Sequence, residues 1–188
     1  MALIAHTELP SFSRLEREGY DVVSTERAAT QDIRELHIGI LNMMPDAALE
    51  ATERQFLRLL AACNRIVQFY VHLFTMPGIP RAGAALEHVA KYYEPYSSLR
   101  EQGLDALLIT GANPVEPDIR DEPYWDSLKE IMDWADANVA STLCSCLASH
   151  AAFKQYQGIE RLPLATKQWG VYSHKVIART HPLVRNIN

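Results

Sequence analysis

The chain is poor in cysteine and glycine and carries no excess of basic charge. Its 188 residues hold three cysteines and eight glycines. Three cysteines cannot all pair, and two of them, Cys144 and Cys146, are separated by a single residue. That spacing is a poor disulfide framework and excludes a disulfide-built scaffold, so a reducing compartment is expected. There is no C-x-x-C and no H-E-x-x-H, and the histidines are scattered singly, so no metal is expected from linear spacing. No glycine-rich phosphate loop is present either, and any coenzyme site must be built without one. Lys and Arg number 18 against 23 Asp and Glu, a net charge of −5. That balance supplies no basic stripe and excludes nucleic acid as the main partner. No apolar run reaches the ~18 residues of a bilayer span. The first twenty residues lack the basic and apolar regions of a secretory signal. A cytoplasmic, membrane-free chain is expected. No repeat or low-complexity tract interrupts it.

What is present is ordinary globular material, with 48% apolar and 22% charged residues. The length suits one domain able to bury roughly 70% of its unfolded surface. Residues 1–34, polar and broken by Pro10, read as an N-terminal arm with one short helix. From residue 35 to 188 strand and helix signals alternate. Leu36–Leu41 reads as a short buried strand closed by Asn42-Met43-Met44-Pro45. Leu49, Phe56, Leu57 and Leu60 then share one helical face, with Glu50, Glu53, Arg54 and Arg58 elsewhere. Ile66–Phe74 is a β-branched and aromatic strand, and 76–83 is a Pro/Gly loop. A helix over Ala84–Tyr93 follows. Leu104–Ile109 is an apolar run typical of a parallel strand buried on both faces. A helix carrying Trp125, Leu128, Ile131, Met132 and Ala135 leads to a strand at Val139–Cys144. A helix over Leu147–Gln155 comes next, and Val171–Ile177 is strand-like.

This alternation predicts an α/β fold with a doubly wound, mostly parallel sheet flanked by helices. Sites in such sheets gather at the carboxyl edges of strands. Here those edges are 42–45, 110–114 and 145–146, which should face one crevice.

The segment Val139 to Ala152 has the form strand, tight turn, helix. A nucleophile at such a turn stands above the sheet edge, where free N–H groups and the positive end of the helix dipole favour a thiolate and a developing oxyanion. Cys146 stands at that turn, and Cys144 lies deeper. Packing is the other reading of both, because free cysteine is among the most buried residue types. The glycines that an amidotransferase elbow carries two residues either side of its cysteine are replaced here by Cys144 and Ala148.

Several blocks, in order along nearly the whole chain, resemble the homoserine O-succinyltransferase (homoserine transsuccinylase) family. They include Glu8-Leu9-Pro10, Ser24-Thr25-Glu26-Arg27-Ala28, Ile40 to Pro45 and Thr52 to Leu60. Further on come Leu108 to Ala112, Tyr124-Trp125, Ser141-Thr142-Leu143 leading to Cys146, and Gly170-Val171-Tyr172. The resemblance implies a class I glutamine amidotransferase-like fold. It also implies acyl transfer from acyl-CoA to the homoserine hydroxyl in methionine biosynthesis through a cysteine acyl-thioester. Carried over residue by residue, it marks Cys146 as the catalytic cysteine, Lys167 as a substrate-contacting residue and Val115 as the acyl-donor position. Family members with Gly at that position use succinyl donors and those with Glu use acetyl donors. Val115 is neither, and the absence of a repelling charge leans to succinyl. Acyl-CoA is then a co-substrate, no cofactor is bound permanently, the substrates are small molecules, and a homodimer is implied.

Two departures stand out. The first loop reads Asp46-Ala47-Ala48 where the family commonly carries lysine, and the family's downstream His-x-Glu base does not occur after Cys146. The expectation is therefore a domain incomplete at its C-terminal end. The alternatives are a catalytically silent binding domain, a glutaminase-like amide hydrolase, or an acyltransferase acting on serine. Of the histidines present, His150 shares a helix face with Cys146 and reads as a plain surface histidine. His72 ends a strand near the crevice.

Overall fold

The computed structural model describes residues 2–63, 67–162, 164–166, 170–182 and 184. Among the described residues six strands form one sheet: β1 (Ala2–Ala5), β2 (Val22–Ser24), β3 (Glu35–Leu41), β4 (Gln68–Phe74), β5 (Ala106–Ile109) and β6 (Ser141–Cys144). Their spatial order is β2-β1-β4-β3-β5-β6, and every pairing is parallel. The helices are α1 (Pro10–Arg17), α2 (Thr25–Ala29), α3 (Leu49–Ala61), α4 (Gly83–Tyr92), α5 (Tyr96–Gln102), α6 (Trp125–Asn138) and α7 (Leu147–Gln157). The α/β fold class is as expected from the alternation.

Side chains alternate across each strand, so the central strands feed two cores. Ile38 and Ile40 of β3 join Leu108, Val71 and Leu73 on one face, under Phe12 and Leu15 of α1 and Leu57 of α3. Leu41, Leu107 and Ile109 point to the other face, against Leu99, Leu128, Ile131 and Leu147 of α5, α6 and α7. Each fully buried leucine or isoleucine is worth roughly 1.5–3 kcal/mol relative to exposure.

Local sequence explains the helix ends. Pro10 opens α1, where its missing N–H costs nothing. The Ser24 hydroxyl caps α2 by accepting from the Arg27 N–H at 3.3 Å. Gly158 ends α7 with φ +67°.

The arm expected over 1–34 holds two helices and two strands, and both strands enter the same sheet. Glu53, assigned from periodicity to the polar side of α3, is fully buried beside Leu49 and Leu57. It accepts from the Ser11 hydroxyl and pairs with His88 Nε2 at 2.9 Å, so both carboxyl oxygens have partners inside. Helix α5 had no sequence signal, and β6 begins two residues after the expected start. Ile66, expected to open the second strand, lies outside the described residues. Val171–Ile177 is not a strand: its backbone has no ladder partner among the described residues, and Val171 and Ile177 lie in solvent.

Candidate active site

The chain leaves β6 through Ser145, whose N–H donates to the Ile109 carbonyl at 2.9 Å and carries the ladder one residue further. Cys146 then takes φ +56° and ψ −120° as the cap of α7. It is the one non-glycine residue with positive φ among the described residues. Such a conformation costs of order 1–3 kcal/mol and persists only where its surroundings impose it. Here they do. The Cys146 carbonyl accepts from the Ser149 N–H at 3.1 Å and the Ser149 hydroxyl at 2.6 Å, while the Ala148 N–H donates to the Ser145 carbonyl. On the opposite side stands Gly111. A Cβ there would lie 2.9 Å from Cys146 Cβ, 3.1 Å from Sγ and 3.6 Å from the Leu147 nitrogen. Only glycine leaves that space.

Cys146 is exposed and Cys144 half-buried. Burial pushes the Cys144 thiol up, which keeps it protonated. Of the two, the outer sulfur is the one a substrate can reach.

The three strand edges expected to meet do meet. The buried Thr110 hydroxyl accepts from the Met43 N–H at 2.8 Å and donates to the Gly111 carbonyl at 3.0 Å. This ties the loop after β3 to the loop after β5, against which the Cys146 elbow rests. Beside them opens a cavity of about 560 Å³, lined among others by Met43, Ile79, Arg81, Ala112, Val115 and Tyr124. Ala112, next to Gly111, links the cavity wall to the elbow.

Arg81 was not singled out from the sequence. Its side chain is 5% exposed. The guanidinium donates to the carbonyls of Asn42 (2.8 Å) and Met44 (2.5 Å) and reaches Asp46 Oδ1 at 3.3 Å. Its Nε is buried without a partner, as is the Tyr124 hydroxyl. Tyr124 is pushed up to about 12 by burial, with the Glu122 charge adding to it. A cation thus stands at the first loop, where Asp46-Ala47-Ala48 offers none. The available signal was its position: the loop after β4 leaves the carboxyl edge of the strand adjacent to β3.

Val115 lines the cavity and is 79% exposed. Its loop is fixed from below by buried Glu122, which accepts from the Val115 and Glu116 N–H groups at 2.6 and 2.7 Å. Lys167 lies outside the described residues. His150 is exposed on α7, and no histidine among the described residues hydrogen-bonds Cys146. His72 does not approach the crevice. It bonds instead to His37 at 2.9 Å and to Glu94 at 2.7 Å.

A parallel sheet that presents a cysteine at positive φ between strand and helix defines an α/β protein of the nucleophile-elbow class. The sequence model of the family described as homoserine O-succinyltransferase matches residues 2–188, and the chain belongs to that family. It is 58% identical to a homoserine O-succinyltransferase of Methylococcus capsulatus, over all of this chain and 53% of that protein. It is 59% identical to one of Thiothrix nivea, over all of this chain and 52% of that protein. A third, of Methylobacter tundripaludum, is 57% identical over the same 188 residues and 53% of its own length. The chain thus spans about half the length of the curated relatives it matches. Among the described residues no helix is long and apolar enough to cross a membrane.

Proposed function

We propose that the protein transfers a succinyl group from succinyl-CoA to the hydroxyl of homoserine, a step of methionine biosynthesis, through a thioester on Cys146. The strained elbow carries this reading: a cysteine held at φ +56° against Gly111, in a chain of this family. The Cys146 thiolate attacks the thioester carbonyl and the carbon–sulfur bond to coenzyme A breaks. Coenzyme A leaves as a thiolate and takes up a proton. The homoserine oxygen, losing its proton to a base, attacks the acyl-enzyme and releases Cys146. The oxyanion role falls to the backbone N–H groups at the start of α7, with Leu147, next to Cys146, the first of them.

The cavity beside the elbow falls within the usual range of small-molecule sites. Its Arg81 Nε and Tyr124 hydroxyl are two buried donors suited to the distal carboxylate of a succinyl group, and Val115 adds no repelling charge. The acyl-CoA is consumed as a co-substrate. Cytoplasmic location and a homodimer belong to the same reading.

The test is intact-mass analysis of the natural full-length polypeptide after exposure to succinyl-CoA or acetyl-CoA. One succinyl group on Cys146, lost in Cys146→Ala and discharged by homoserine, is the expected result. Acetyl transfer alone overturns the donor assignment, and no adduct from either donor overturns the mechanism.

A further inference from the structure

A second group of chemically able side chains lies away from the elbow, over β1 and β4. His6 follows β1, His72 stands on β4, and Glu94 follows α4 with its N–H donating to the Leu73 carbonyl at 2.8 Å. Three separated segments bring these residues together, so no linear motif announces them. One ligand atom from each lies within 4.8 Å of the other two.

The hydrogen bonds around the group set which lone pairs face inward. His6 Nδ1 lies 3.1 Å from the Ile4 carbonyl, which can only accept, so this nitrogen carries the proton. In the neutral ring His6 Nε2 is then a bare lone pair. It is buried, has no hydrogen-bond partner and stands 3.9 Å from Glu94 Oε1. His72 Nε2 faces His37 Nδ1 at 2.9 Å, and its Nδ1 faces Glu94 Oε1 at 2.7 Å. When His72 donates from Nε2 to His37, its Nδ1 also becomes a lone pair aimed at the carboxylate. Tyr70 and Phe12 wall the His6 ring at 5.6 and 6.1 Å, and Tyr70 stacks on His37 at 5.0 Å. A purely structural hydrogen-bond network accounts for His72, His37 and Glu94. It leaves the His6 Nε2 lone pair buried and unsatisfied, which is costly.

We propose that His6 Nε2, His72 Nδ1 and a Glu94 carboxylate oxygen bind a divalent first-row transition ion, with Zn²⁺ the best match. Two imidazoles and one carboxylate are a donor set that zinc accepts at tetrahedral angles, leaving one position for water. The Ile4 carbonyl and His37 are the outer partners that fix the two imidazole tautomers. The ion binds the His72 ring that keeps its Nε2 proton on the bond to His37. When that ring starts as an imidazolium paired with Glu94, its Nδ1 proton leaves to solvent and the ion takes its place, with no redox change. The ion clips β1 and β4 to the segment between α4 and α5. This site is independent of the acyl-transfer reading.

The test uses metal-stripped protein with Cys63→Ser and Cys146→Ser, because both thiols are exposed and would compete for the metal. Calorimetric titration with Zn²⁺ should show one ion per chain, and Co²⁺ should give the visible absorption of a tetrahedral site. His6→Gln should weaken Zn²⁺ binding about 100-fold or more, and His37→Phe about 10- to 100-fold. Both variants are checked for native circular dichroism. Should His37→Phe misfold, His6→Gln and Glu94→Gln decide, each checked for native circular dichroism. Binding that is unsaturable, or unchanged in both His6→Gln and Glu94→Gln, overturns the site.

Discussion

The centre and the β6 end of the carboxyl edge are built differently. Strands β3 and β4 are flanked on both sides, and their last residues, Ile40, Leu41, Leu73 and Phe74, are all nearly or fully buried. Strand β6 has one neighbour, β5, among the described residues, and Ser141, Thr142 and Leu143 are exposed. Among the described residues, the strand that carries the candidate nucleophile is therefore paired on one side only. Its turn owes its shape to local devices: the Gly111 gap, the Ser149 bonds and the first turn of α7. Precision at the site comes from a few close contacts at the elbow, while stability comes from strands that carry no reacting group.

Substitutions test this division. Ile40→Ala empties a fully buried position between the two layers and should cost about 2–5 kcal/mol in chemical denaturation. A cost under about 1 kcal/mol would show that the centre is not the stability source. Gly111→Ala should lower the rate of acyl transfer about 100-fold, because its Cβ must push Cys146 aside. Its melting temperature should fall much less than that of Ile40→Ala. Cys146→Gly should raise stability by about 1 kcal/mol while abolishing acylation, since glycine adopts φ +56° without strain. A loss of stability would show that the elbow is relaxed. Leu143→Ala, on the exposed side of β6, should change stability by less than about 0.5 kcal/mol. A cost matching that of Ile40→Ala would mean the open edge is covered in solution and would remove the contrast.

The sequence was informative wherever the signal is local. Leu104–Ile109 reads as a strand buried on both faces because the run is almost continuously apolar, and Leu36–Leu41 as a short buried strand. The elbow was legible because a strand, a two-residue turn and a helix follow one another directly. Strands β1 and β2 were not, at four and three residues too short to show a period, and they exist through pairing with β4 and with each other. The same holds in reverse for Val171–Ile177, where a strand-like composition found no partner. Glu53 was misread because periodicity assigns a charge to the wet side unless distant partners, here Ser11 and His88, satisfy it. Arg81 and the His6–His72–Glu94 group depend wholly on contacts between remote segments.

The place of β1 in the sheet has a consequence in time. Its slot lies between β2 and β4, so β1 can hold only its β2 neighbour until residues 68–74 have been made. Closure of a loop that long is slow relative to local helix formation. His6 is carried on the same segment and meets His72 and Glu94 only after that delay. Residues 2–6 are thus locked in step with β4, later than their own place in the sequence would suggest.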